Sequence, residues 1–124
     1  MLDSYTDLIN SQLLYIATVS DDQTPHLIVV SAAQVINTHT HTHTSGEILI
    51  ADVQMQQTKS NLLKRPTICL MSLDPKTQTG IKIIGTAQYF TTGKYFDLVK
   101  KTADSAYPPK GAVLVTAQKI IVVE

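Results

Sequence analysis

The apolar residues of this chain fall into short, neighbouring stretches with the composition of β-strands, and this succession constrains the fold more than any other feature. Residues 14–20 (LYIATVS) and 26–36 (HLIVVSAAQVI) flank the turn sequence DDQTP, so together they predict a β-hairpin. Because consecutive strands do not alternate strictly with helices, an antiparallel sheet or barrel is favoured over a parallel βαβ sheet. Further strands are predicted at residues 47–53, 67–73, 81–91, 112–117 and 120–123.

Three segments have helical patterns and are expected to attach to this sheet. The first lies near the N-terminus, where apolar residues recur at helical spacing. The second covers residues 58–65, with Thr58 as its cap, and ends at Pro66 because proline cannot donate a backbone hydrogen bond. The third covers residues 94–103. The pattern as a whole predicts a mainly β fold with six or seven strands and three helices.

Composition limits the classes of function. The 124 residues suit a single domain, 1–124, and ten basic residues balance ten acidic ones. With zero net charge and 6% aromatic residues, the chain lacks the basic, stacking surface of a nucleic-acid module. The single cysteine, Cys69, excludes an intrachain disulfide. No apolar run is long enough to span a membrane and no signal peptide is recognised, so we expect a soluble, cytoplasmic protein.

Two segments carry residues with binding chemistry. His39, His41 and His43 alternate in THTHTHT, and an extended strand would turn all three imidazoles to one face, as a metal site requires. A loop at a hairpin tip is the simpler interpretation of that tract. Residues 57–61 (QTKSN) stand at a predicted helix start, where free N–H groups and the helix dipole favour phosphate. An ordinary helix cap with a solvated lysine accounts for the same residues.

The ordered motifs "ATxxxxxxPH", "TxxNLxxxP" and "GTA" give the chain a family resemblance. In this order they resemble the FMN-binding split-barrel family that includes pyridoxamine phosphate oxidase, and most of all its small single-domain FMN-binding proteins. The resemblance implies a six-stranded antiparallel Greek-key split barrel. It also implies a homodimer, with FMN at or near the interface between the two subunits.

The same resemblance assigns cofactor-binding residues to three segments. It places the FMN phosphate at the helix start and runs the second strand of the hairpin beside the flavin. The end of the strand that precedes the helix borders the isoalloxazine ring. The residues in these segments are Gln57, Thr58, Lys59 and Asn61, then Val29, Val30 and Ser31, and then Ile50, Ala51, Asp52 and Val53.

Two functions follow from these observations. The first is a flavoprotein that binds FMN and passes electrons, as a carrier or a flavin oxidoreductase, between a donor and an acceptor that the sequence does not identify. The second is a split barrel that has lost FMN and binds a metal through His39, His41 and His43. The loss of FMN would follow from position 57, which is Gln where relatives tend to carry Lys. No motif for hydrolytic catalysis is present.

Overall fold

The structure, a computed structural model, describes residues 5–11, 13–31, 33–37, 46–103 and 106–123. Within these ranges the chain forms seven strands and three helices. The strands are β1 (Leu14–Val19), β2 (Pro25–Val30), β3 (Ala33–Asn37), β4 (Gly46–Asp52), β5 (Thr67–Asp74), β6 (Thr79–Phe90) and β7 (Gly111–Val123). The helices are α1 (Thr6–Ser11), α2 (Gln56–Lys64) and α3 (Lys94–Thr102). No helix of these residues is long and apolar enough to cross a membrane.

All seven described strands belong to one curled antiparallel sheet in the order β2-β1-β5-β6-β7-β4-β3. The predicted mainly β class with three added helices is confirmed. The sheet forms a half-barrel and has one strand more than the six that the resemblance implied. Strands β2 and β3 are consecutive in the chain, yet they lie at opposite edges of the sheet.

The single strand predicted at residues 26–36 is wrong. It is divided into β2, which pairs with β1, and β3, which pairs with β4. Ser31 lies in an exposed bend between them. One straight strand cannot pair with both partners, because three strands of the sheet, β5, β6 and β7, separate β1 from β4. Conversely, the two strands predicted at 112–117 and 120–123 are one strand, β7, which pairs with β6 along most of its length.

The core fills the inside of the curl and is closed by α1 and α2. Along β1, residues Leu14, Ile16 and Thr18 are buried while the intervening side chains face outward, as the two-residue period of a strand requires. Helices α1 and α2 add Ile9 and Leu62 to this cluster. Helix α3 covers the opposite face of β4 and β7, so β4 is buried on both faces.

Gly85 marks a bulge within β6. The pairing of β6 with β7 shifts its register between Ile84 and Gly85. A Cβ atom on Gly85 would overlap the carbonyl oxygen of Thr116, so only glycine allows the two strands to approach so closely.

Candidate functional site

Three residues separate the end of β4 from the start of α2, and the last residue of β4, Asp52, contacts that helix start. Asp52 is buried, and its Oδ1 accepts a hydrogen bond from the Met55 backbone N–H at 2.8 Å. Its backbone carbonyl accepts one from the Lys110 N–H at 2.7 Å. Met55 is the N-cap and offers no side-chain cap. The predicted cap at Thr58 is therefore wrong, because the helix begins at Gln56 and Thr58 lies in its first turn.

Tyr89 of β6 contacts both Asp52 and Lys59. Its hydroxyl donates a hydrogen bond to Oδ2 of Asp52, and its ring lies 4.8 Å from Nζ of Lys59, measured to the ring centroid. Burial raises the pKa of Tyr89, and the hydrogen bond to Asp52 raises it further. Tyr89 therefore stays protonated and remains a donor. It packs against Gly111, where any Cβ atom would overlap its hydroxyl.

A second set of hydrogen bonds ties α2 to β1. Gln57 donates from Nε2 to Oδ1 of Asn61 at 2.8 Å, and Asn61 donates from Nδ2 to Oγ1 of Thr18 at 2.9 Å. Asn61 and Thr18 are both buried, so each hydrogen bond satisfies a group that water cannot reach. The amide of Gln57 is thus directed along the helix towards Asn61.

Thr58 is on the first turn of α2, and its hydroxyl is the feature of the site that lacks an explanation within the chain. The side chain is 1% exposed, and Oγ1 has no hydrogen-bond partner among the described residues. Leaving a buried hydroxyl unpaired costs about 1–3 kcal/mol. An uncapped helix start, an unpaired hydroxyl and the nearby Lys59 together fit an anionic group such as a phosphate.

A cleft of about 520 Å³ lies beside α2, within the size range of small-molecule sites. Hydrogen bonds donated by Ser20, which has the larger effect, and by Thr24 lower the pKa of Asp22 to about 2. Asp22 therefore remains a carboxylate. Lys64 forms an ion pair with Asp21. The cleft is lined by Ser20, Asp21, Asp22, Thr24, Pro25, His26, Gln57, Ser60 and Lys64.

A sequence profile described as pyridoxamine 5'-phosphate oxidase matches residues 2–123. The chain belongs to the pyridoxamine 5'-phosphate oxidase family. The resemblance seen in the sequence motifs is thereby confirmed. One relative, the uncharacterised protein MJ0282 of Methanocaldococcus jannaschii, is 29% identical over 115 residues, which cover 90% of this chain and 73% of the relative.

Solved structures share the fold. An FMN-binding protein from Syntrophomonas wolfei superposes with a TM-score of 0.83 at 22% identity, covering 99% of this chain and 86% of that one. HupZ of Group A Streptococcus gives 0.83 at 22% identity and covers 99% and 94%. An F420 reductase gives 0.66 at 14% identity and covers 94% of each chain. Identities this low establish a common fold only.

The remaining residues that the family resemblance assigned to the cofactor do not gather around α2. Val29 and Val30 point to opposite faces of β2, with Val29 exposed and Val30 packed against the core. Ile50 is fully buried in the core, and Val53 is half-buried after β4. Ser31 and Ala51 line a second cavity of about 270 Å³, next to α3. The structure therefore brings Gln57, Thr58, Lys59, Asn61 and Asp52 together, and it places Ser31 and Ala51 at a separate cavity.

Sequence reasoning missed Thr18, Tyr89 and Gly111 as parts of the site. Thr18 does lie within the "ATxxxxxxPH" motif, whereas nothing in the sequence marks Tyr89 or Gly111 as a neighbour of Asp52. The candidate metal ligands His39, His41 and His43 lie outside the described residues. Within the described ranges, no group of three His, Cys, Asp or Glu side chains could hold a metal ion.

Proposed function

We propose that this protein is a flavoprotein that binds FMN non-covalently and passes electrons, as a carrier or a flavin oxidoreductase. The buried, unpaired Thr58 hydroxyl at the start of α2 is the observation that carries this proposal. It gains weight from the family, because a structural neighbour with a TM-score of 0.83 is an FMN-binding protein.

The residues at the start of α2 would hold the phosphate. The free backbone N–H groups of the first turn and the Thr58 hydroxyl donate hydrogen bonds, and Lys59 contributes positive charge. Both carboxylate oxygens of Asp52 already accept hydrogen bonds, from Met55 and Tyr89, so Asp52 does not compete with the phosphate for the N–H groups of the first turn. FMN, when bound, supplies the redox chemistry of its ring system.

We further propose that a second copy of the chain covers the outer face of β1, β2 and β5. Tyr15, Leu27 and Val29 are large apolar side chains, between 38% and 66% exposed. They share this face with Cys69 and Met71, because directly paired residues of neighbouring strands point the same way. None of these side chains is charged. Identical surfaces meet across a twofold axis, so an uncharged apolar face suits self-association without charge repulsion.

The FMN proposal is tested with purified protein that carries no histidine tag. We expect FMN fluorescence to be quenched at micromolar protein, and riboflavin and F420 serve as comparison ligands. Thr58→Val should weaken FMN binding roughly tenfold, the effect of one hydrogen bond to a charged group. The same substitution should raise the free energy of unfolding of the ligand-free protein by about 1 kcal/mol, because it removes an unpaired buried hydroxyl.

These opposite effects separate a binding role from a purely structural one. Thr91→Val, at an exposed bend after β6, is the matched control and should change neither quantity. A wild-type protein that binds no FMN would refute the proposed function. Binding of F420 in preference to FMN would replace the cofactor. Unchanged FMN affinity in Thr58→Val would show that the phosphate does not lie at the start of α2.

A further inference from the structure

We propose that Tyr89 is a positioning residue that sets the preference of this site for a phosphate-bearing flavin, an inference that rests on the proposed FMN function. Its hydroxyl donates to Asp52, and its ring faces the ammonium group of Lys59. One side chain from β6 thus contacts both the carboxylate at the helix start and the ammonium group of Lys59, although no part of Tyr89 needs to touch the flavin.

The first part of this role acts through Asp52. That carboxylate is only 3% exposed, so water cannot replace a lost hydrogen-bond donor. Its Oδ1 orients the Met55 N–H at the N-cap of α2, while Oδ2 is held by the Tyr89 hydroxyl. Without that hydroxyl, the carboxylate would have to rotate or find another donor. The direction of the first N–H groups of α2 would then no longer be fixed.

The second part acts through Lys59. Lys64, the other lysine of α2, is paired with Asp21, whereas Lys59 has no carboxylate within 4.0 Å among the described residues. Position 57 is Gln, and its amide is directed to Asn61. Lys59 is therefore a cation available to the first turn of α2, and the face of Tyr89 holds it there by a cation–π interaction.

Phosphate recognition can be measured directly, because riboflavin differs from FMN only in lacking the phosphate. The ratio of the two dissociation constants reports how much the phosphate contributes. Tyr89→Phe keeps the ring and removes the hydroxyl, and we expect it to lower the preference for FMN over riboflavin roughly fivefold to tenfold. Lys59→Met should lower the preference by a similar factor. In both variants the riboflavin affinity should stay within about twofold of wild type.

The chain contains a matched control pair. Nζ of Lys94 lies 5.0 Å from the ring centroid of Tyr95, the same kind of contact on α3 rather than at α2. Tyr95→Phe and Lys94→Met should therefore leave the FMN-to-riboflavin preference unchanged. If they lower it as much as the Tyr89 and Lys59 substitutions do, the effect is not specific to the start of α2 and the inference is wrong.

Hydrogen exchange of the ligand-free protein provides a second measurement. Tyr89→Phe should accelerate exchange of the backbone amides at the start of α2, beginning with Met55, while Tyr95→Phe should not. Unchanged exchange, or an unchanged preference in a protein that binds both flavins, would overturn this inference and leave the FMN proposal standing. A protein that binds neither flavin would refute both.

Discussion

Asn61 of α2 donates a hydrogen bond from Nδ2 to Oγ1 of Thr18 in β1, which lies 43 residues earlier in the chain. Both side chains are 3% exposed, so neither can exchange this partner for water. The bond fixes the rotation of α2 against the sheet. It also leaves Oδ1 of Asn61 available to accept the amide of Gln57.

This pair predicts a coupled loss of stability. Asn61→Ala and Thr18→Val should each lower the free energy of unfolding by about 1–3 kcal/mol, because each leaves a buried polar group unpaired. The double variant should cost less than the sum of the two. Urea unfolding followed by circular dichroism measures all three values, since the chain has no Trp. Additive costs would show that the bond contributes nothing.

The fold was predictable from the sequence where turns and helix ends carry local signals. The DDQTP turn correctly predicted the hairpin of β1 and β2. Pro66 correctly predicted where α2 ends, since the last residue of the helix, Lys64, lies two positions before it. The separation of β2 from β3 was not predictable. Apolar residues continue through residues 26–36, and the choice of partner depends on β1 and β4, which lie elsewhere in the chain.

The candidate site was predictable to the same extent. The residues of α2 were found because a helix start has a local sequence pattern. Asp52 was included through the family resemblance, but its contacts with Met55 and Tyr89 were not foreseen. Tyr89 reaches Asp52, 37 residues away in the sequence, because β6 and β4 both pair with β7 and the Tyr89 side chain crosses β7 at Gly111. No spacing rule predicts such a contact.

Two glycine substitutions should differ in cost because they meet different neighbours. Gly85→Ala would drive a methyl group into the Thr116 carbonyl, and main chain inside a ladder cannot move aside. We expect a loss of about 3 kcal/mol or more, or failure to fold. Gly111→Ala meets the ring of Tyr89, a side chain that can rotate away, so a loss of about 1–3 kcal/mol is expected. Urea unfolding midpoints measure which variant is less stable. A lower midpoint for Gly111→Ala than for Gly85→Ala would contradict the prediction.

The turn between β1 and β2 should be sensitive to acid. Hydrogen bonds from Ser20 and Thr24 lower the pKa of Asp22 from 3.8 to about 2. Since the folded state has the lower pKa, ionised Asp22 stabilises the turn above pH 3.8, and this contribution is lost as the pH falls through 2. Ser20→Ala should raise the pKa towards 3.8, measured by NMR titration of the Asp22 carboxyl. Ser60→Ala, in the same cleft, should leave it unchanged.

The proposed dimer depends on the outer face of β1, β2 and β5, and one charge should disrupt it. Val29→Glu places a carboxylate on that face, where twofold symmetry would bring it close to its own copy and force its desolvation. Light scattering should show wild-type protein with the mass of two chains and Val29→Glu with the mass of one. Val122→Glu is the matched control, because Val122 of β7 is similarly exposed, at 58% against 50%, but lies outside this face. A wild-type mass of one chain at micromolar concentration, or a dimer that survives Val29→Glu, would mean that a second copy does not cover this face.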